Sequence, residues 1–181
     1  MLHAAGVEHE TRKPDVDEET IKAGLVGNDA SLARTVAEAK AVNSSAAVGS
    51  THWVIGSDSV VSVGGRRFSK PRDRDNAVEH LRFFRGKTMQ LTSAVALARG
   101  GRAEWSTTSS AWLRVRDLSD RFIVEYLDAE WPEVSYTVGV FRMEGRGVQL
   151  FSSIEGDHFT ILGMPLVPLL GALRQRGLLL A

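Results

Sequence analysis

An acid and a base bracket two β-branched runs between Trp53 and Pro71. Val54 and Ile55 climb to Gly56, and Ser57-Asp58-Ser59 follows. A second run, Val60 to Val63, leads to Gly64-Gly65, and Arg66 to Ser69 returns toward Lys70. A carboxylate such as Asp58 can orient or deprotonate a water. An ammonium such as Lys70 or the upstream Lys40 can neutralise charge on a leaving phosphate. The Asp17-Glu18 pair and Glu144-Gly145 add further acids. Magnesium prefers a few carboxylates completed by substrate phosphates, so this mixture of acids and lysines suits metal-assisted chemistry on a phosphate ester or anhydride.

Two β-branched runs across a Gly-Gly link predict a hairpin with a primed turn. A tight turn sets Val63 against Arg66, Val61 against Phe68 and Ser59 against Lys70. A regular ladder then puts Asp58 and Lys70 on opposite faces, and a bulge near Gly56 or at the turn is needed to bring them together. A surface hairpin with a solvated Asp and Lys fits the same stretch.

The flanking pattern supplies elements to hold these residues. Leu2 to Ala5 reads as a last helical turn closed by Gly6, and Val7 to Thr11 as a short strand. Lys13 to Glu19 is an acidic turn, either a helix N-terminus favoured by the dipole or part of a metal site. Asn28 or Asp29 caps a helix to about Val42 with Leu32, Val36 and Ala39 inward. Lys40 lies at the edge of that face, either snorkelling to water or aimed into a cleft as an anion ligand. Asn43 to Thr51 reads as a polar linker. Asp73 or Asp75 caps a helix bearing Ala77, Leu81 and Phe84, which Arg85-Gly86-Lys87 ends. Met89 to Leu97 and Glu104 to Val115 are strands joined at Gly100-Gly101. Ser119 opens a helix with Phe122, Ile123, Tyr126 and Leu127, ended near Trp131-Pro132. Tyr136 to Gly147 is dense in glycine and charge, Val148 to Phe151 is a strand, and a last helix runs from Pro165 to Gly177. Helices and strands interleaved in this way predict an α/β fold with a mixed sheet and flanking helices.

Composition narrows the function classes. The chain of 181 residues fits one domain, with room for two lobes. Its 22 basic residues balance 22 acidic ones, so no global field draws nucleic acid or an anionic membrane. With 0 cysteines there is no disulfide scaffold, thiol nucleophile or thiolate zinc site. No stretch has the apolar length of a membrane span, and the N-terminus lacks the pattern of a secretory signal. A cytoplasmic protein is expected. No Walker loop, dinucleotide-binding glycine motif, His-Glu-x-x-His or nucleophile elbow is present. Gly145-Arg146-Gly147 alone is a weak hint of phosphate contact.

The combined pattern resembles the Maf family of nucleoside-triphosphate pyrophosphatases. Gly56-Ser57-Asp58-Ser59-Val60-Val61, Ser69-Lys70-Pro71, and Ala77 to Gly86 with Leu91-Thr92-Ser93 carry the first part. Val138-Gly139, Met143-Glu144-Gly145 and Ile154-Glu155-Gly156-Asp157 are similar to the family's second signature. Ile161-Leu162-Gly163-Met164-Pro165-Leu166 resembles its closing one. The match runs from Leu2 to the end, one Maf-like domain over 1–181.

The resemblance implies a mixed α/β sheet in two lobes around a central cleft, usually dimeric. It implies hydrolysis of a nucleoside triphosphate to a monophosphate and pyrophosphate with a divalent cation, Mg2+ or Mn2+. Asp58 falls on the family's proton-accepting aspartate, and Lys40 and Lys70 on its phosphate-binding lysines. Glu18 falls on its acidic metal-side position, with Asp58. Glu144 stands at a substrate-binding position where many members carry Gln, and Ser59 keeps the hydroxyl of the commoner Thr. Met89 stands where many relatives have His. Members begin with a strand and a Ser-containing loop with paired arginines that grips phosphate. This chain opens at the end of the helix that follows. Either it starts at an internal methionine or it has lost that element. A non-catalytic nucleotide-binding or regulatory protein is the alternative, and a triphosphatase of the inosine-triphosphate type a third reading.

Overall fold

The structure is a computed structural model that describes residues 1–25 and 27–180. Ala181, the last residue of the apolar tail, lies outside them. The helices are α1 (Glu18–Gly24), α2 (Asp29–Val48), α3 (Arg74–Phe84), α4 (Asp120–Glu130), α5 (His158–Ile161) and α6 (Leu166–Gln175). The strands are β1 (Val54–Val63), β2 (Arg66–Phe68), β3 (Thr88–Arg99), β4 (Arg102–Val115) and β5 (Phe151–Glu155), in the spatial order β2-β1-β3-β4-β5. This is the α/β fold the interleaving predicts. The β1–β2 and β4–β5 ladders are antiparallel, so the mixing is of helices and strands along the chain. No helix among the described residues is long and apolar enough to cross a membrane.

The hairpin forms in the expected register, with Val61 opposite Phe68 and Val63 opposite Arg66. Gly64 and Gly65 take φ 59° and 76°, the left-handed pair that a primed turn requires. β2 ends at Phe68, so its ladder stops short of Lys70. β3 lies in the middle of the sheet, and Leu91 to Ala98 is buried at every position. That explains why its sequence is a continuous run of small and apolar residues rather than an alternation.

The chain divides into two compact units. The first comprises 1–59, 92–109 and 157–181. Its core joins Val7, Val95 and Leu97 to Leu166, Leu169, Ala172 and Leu173 of α6, with Trp53 and Trp105 packed at the margin. A leucine buried in this way contributes about 2 kcal/mol by its removal from water. The second unit comprises 60–91 and 110–156. There Phe68 meets Phe84 edge-on, with centroids 4.7 Å apart, and Phe141 meets Phe151 similarly at 5.0 Å.

Three element boundaries differ from the sequence reading. Residues 7–11 belong to no strand, because Val7 turns inward to the core and its amide bonds Leu2 O at 3.0 Å. The helix expected to end near Val42 continues to Val48 and stops at Gly49, φ 81°. Its polar residues do not break it, and two of them have partners on or off the helix. Asn43 pairs with the backbone of Asp15, and the Ser45 hydroxyl bonds Val42 O at 3.0 Å while accepting from Gly101 N at 3.0 Å. The strand expected over 148–151 begins at Phe151 instead, since residues 146–150 wind as a 3-10 turn around Gly147. A Cβ on that glycine would overlap the backbone of Arg142.

Candidate active site

Asp58 sits mid-strand in β1, and its side chain is 7% exposed. A buried carboxylate needs partners, and the neighbouring helix supplies one. At Gly56, two residues earlier, α2 lies hard against β1. A Cβ there would overlap the Ala37 carbonyl and the Ala41 amide. That close approach lets Lys40, on the same turn of α2, place its Nζ 2.8 Å from Asp58 Oδ1. Lys40 is therefore turned inward, with its side chain 17% exposed, and does not snorkel to solvent.

Glu18 enters from α1. Asp17 caps that helix, its carboxylate accepting from Thr20 N at 3.0 Å and Thr20 Oγ1 at 2.6 Å. The two adjacent acids thus separate in role: Asp17 closes the helix end, and Glu18 reaches Lys40 Nζ at 2.8 Å through Oε1. A reciprocal pair fastens the loop before α1 to α2, Asp15 N donating to Asn43 Oδ1 at 3.0 Å and Asn43 Nδ2 to Asp15 O at 2.9 Å. Lys22, one helical turn after Glu18, lies 3.2 Å from Glu18 Oε2 and 3.9 Å from Asp58 Oδ2. Two carboxylates and two ammonium groups alternate in one cluster.

The electrostatics follow from that alternation. Burial alone pushes the Glu18 carboxyl up, but the Lys40 and Lys22 ammonium groups outweigh it and hold Glu18 below its usual 4.5. Burial alone pushes Lys40 down, but hydrogen bonds and charge from Asp58 and Glu18 outweigh it and raise the ammonium above its usual 10.5. Both groups stay ionised through the neutral range.

Asp58 Oδ2 is buried and has no hydrogen-bond partner among the described residues. Such an atom is costly unless something binds it. No group of three or more His, Asp or Glu side chains that could hold a metal occurs among the described residues. The protein thus offers two carboxylates, Glu18 and Asp58, one with an open oxygen. That donor set fits a magnesium-type cation, which takes its remaining ligands from phosphate and water.

Next to Asp58, Ser59 is tied into the first unit. Its Oγ lies 2.8 Å from Ser93 Oγ and 3.4 Å from Gly163 O. The Ser93 hydroxyl donates to Thr160 O at 2.8 Å, so the Ser59 proton is the one that fills the Ser59–Ser93 bond. A hydroxyl committed in this way has only lone pairs left to offer.

A family model described as Maf-like protein matches residues 1–176. The chain belongs to the Maf-like protein family. Among its relatives, a protein of Rhizobium meliloti named 7-methyl-GTP pyrophosphatase is 42% identical over 180 residues, covering 98% of this chain and 90% of the relative. One of Sphingopyxis alaskensis, named nucleoside triphosphate pyrophosphatase, is 43% identical over 183 residues, covering 98% and 91%. A third, of Caulobacter vibrioides and with that same name, is 42% identical over 182 residues, covering 99% and 90%.

Of the positions singled out in this Maf-like chain, Glu18, Lys40, Asp58 and Ser59 belong to the first unit, where Lys40 bonds Glu18 and Asp58 directly. Lys70 and Glu144 belong to the second. Lys70 is exposed between β2 and α3, and Glu144 is exposed in the turn 143–145. That turn is anchored from behind by Glu130, the last residue of α4, which is buried. Its carboxylate accepts from Arg142 Nη2 at 3.1 Å and Arg146 N at 3.0 Å. A Cβ on Gly145 would lie 2.9 Å from Glu130 Oε2. The glycines of Gly145-Arg146-Gly147 are thus explained by close packing in the second unit. Sequence reasoning gave no role to Lys22, Ser93 or Glu130. Ser93 stood only as part of the Leu91-Thr92-Ser93 motif, and Lys22 left a trace in the Glu-to-Lys spacing of four that pairs on a helix.

Proposed function

We propose that this chain is a nucleoside triphosphate pyrophosphatase, a hydrolase that splits the anhydride between the α and β phosphates. The products are a nucleoside monophosphate and pyrophosphate. The reading is carried by Asp58: a buried carboxylate held at 2.8 Å by one ammonium, its second oxygen without a hydrogen-bond partner among the described residues. The names of the relatives, pyrophosphatases of 7-methyl-GTP or of nucleoside triphosphates, support the same reaction.

In this reading Asp58 Oδ2 takes a proton from water as the water oxygen bonds to the α phosphorus. The bond from that phosphorus to the bridging oxygen breaks, and pyrophosphate leaves. Lys40 fixes the carboxylate through Oδ1, so the lone pairs of Oδ2 stay aimed rather than averaged over rotamers. The same ammonium neutralises charge that grows on the leaving group. Glu18 and Asp58 would hold the divalent cation, Mg2+ or Mn2+, whose chemistry is to draw charge off the phosphate oxygens. A carboxylate has lone pairs enough for a cation and a water together. Lys70 and Glu144 are assigned to substrate binding on the family resemblance. Ser59 joins them as an acceptor, its proton being committed to Ser93. The protein is taken to act as a single Maf-like domain, as a homodimer, in the cytoplasm.

The test is product analysis with Mg2+ over ordinary triphosphates and 7-methyl-GTP. Monophosphate and pyrophosphate in equal amounts are expected from at least one of them. Diphosphate with inorganic phosphate, or no turnover on the whole panel, overturns the reading.

A further inference from the structure

Glu18 and Asp58 each divide their two oxygens between two lysines. Lys40 Nζ lies 2.8 Å from Glu18 Oε1 and 2.8 Å from Asp58 Oδ1. Lys22 Nζ lies 3.2 Å from Glu18 Oε2 and 3.9 Å from Asp58 Oδ2. The two lysines are not equivalent. Lys40 rides on the long helix α2, is mostly buried, and makes both contacts at the length of a charge-assisted hydrogen bond. Lys22 rides on the short helix α1 and its side chain is 33% exposed. It comes within hydrogen-bond range of Glu18 and not of Asp58, whose Oδ2 has no hydrogen-bond partner among the described residues.

The charges of the cluster cancel as it stands, two carboxylates against two ammonium groups. A dication added with both lysines in place would put four positive charges against two negative ones within a few ångströms. At such separations like charges repel strongly even at the effective dielectric of a protein surface. The more weakly held ammonium is the one that leaves.

We propose that Lys22 is a built-in stand-in for the divalent cation. Its ammonium fills the place between Glu18 and Asp58 while the metal is absent and swings to solvent when the metal binds. Lys22 thereby sets the cation concentration the enzyme needs, and it keeps two acids from facing each other unscreened when none is bound. The inference rests on the reading of Glu18 and Asp58 as cation ligands.

Titration of the nucleotide-free protein with Mn2+, following the free-ion signal by electron paramagnetic resonance, tests it without turnover. Lys22→Gln is expected to bind Mn2+ about tenfold more tightly than the wild type, since a competing charge is gone. Lys22→Arg, which keeps the charge, and Lys13→Gln, which removes an exposed one elsewhere, are expected to stay within about twofold of wild type. Unchanged or weaker binding by Lys22→Gln overturns the inference. So does equal tightening by Lys13→Gln, which makes the effect one of net charge. Glu18→Gln and Asp58→Asn, each added to Lys22→Gln, separate the two levels. If neither lowers Mn2+ affinity, the ligand reading falls and the inference with it. If both do, and Lys22→Gln alone changes nothing, the inference alone falls.

Discussion

Lys40 is the residue on which the cluster turns, because it bonds both Glu18 and Asp58 at 2.8 Å. Its replacement by Met leaves Asp58 buried with only the distant Lys22 for company. Breaking a buried pair from one side costs roughly 3 kcal/mol. Urea unfolding of Lys40→Met should show a loss of that order, and turnover should fall with it. The pH dependence follows from the same pairing, with opposite signs at its two ends. Glu18 is held below 4.5, so its contribution is complete above that pH and disappears as pH falls through its folded value. Lys40 is held above 10.5, so its contribution is complete below that pH and disappears as pH rises through its folded value. Unfolding free energy measured against pH should therefore lose its Glu18 component only below pH 4.5, and Glu18→Gln should flatten that limb. A Glu18→Gln curve parallel to wild type in acid would mean the carboxylate is not held by the lysines.

At the scale of elements, the contact that matters is α2 against β1 at Gly56. Gly56→Ala would force the strand off the Ala37 and Ala41 backbone or strain the helix, at a cost of about 2 kcal/mol. The displacement acts on Lys40 and Asp58 together, so thermal unfolding should show a lower midpoint and the assay a turnover loss larger than stability alone explains. Wild-type turnover in Gly56→Ala would show that the close approach is not what sets the pair. A second element-scale prediction concerns α4. Glu130→Ala removes the acceptor for Arg142 and for the Arg146 amide, and should destabilise the protein by about 2 kcal/mol in urea unfolding. The hairpin was legible because β-branched runs across Gly-Gly leave few alternatives, and its register follows from the turn. The length of α2 was not, because Asn43, Ser44 and Ser45 look like a linker until Asp15 and Gly101 are brought to them by the fold. Nothing local in the sequence announces such long-range partners.

For the whole molecule, the net charge of +0 and a pI near 7.0 remove the self-repulsion that keeps proteins apart. Solubility in ammonium sulfate-free buffer should pass through a minimum near pH 7 and rise on both sides. A flat solubility profile between pH 5 and about 9 would indicate that charge distribution, not net charge, controls association. The interleaving of helices and strands carried the fold class, since only a few layer architectures accept it. The acids and bases of the site were legible as residue types. Their grouping was legible only in part: Asp58, Lys40 and Glu18 meet through α1, α2 and β1, whereas Lys22 declared itself only once α1 was in place.

Pyrophosphate release by Asp58→Asn is the measurement closest to the central claim, made at saturating nucleotide and Mg2+ with nucleotide binding followed on the same sample. The amide keeps the shape of the side chain and removes its capacity to take a proton. Turnover is predicted to fall by about a thousandfold with nucleotide still bound. Turnover within about tenfold of the wild type would contradict Asp58 as the base that activates water.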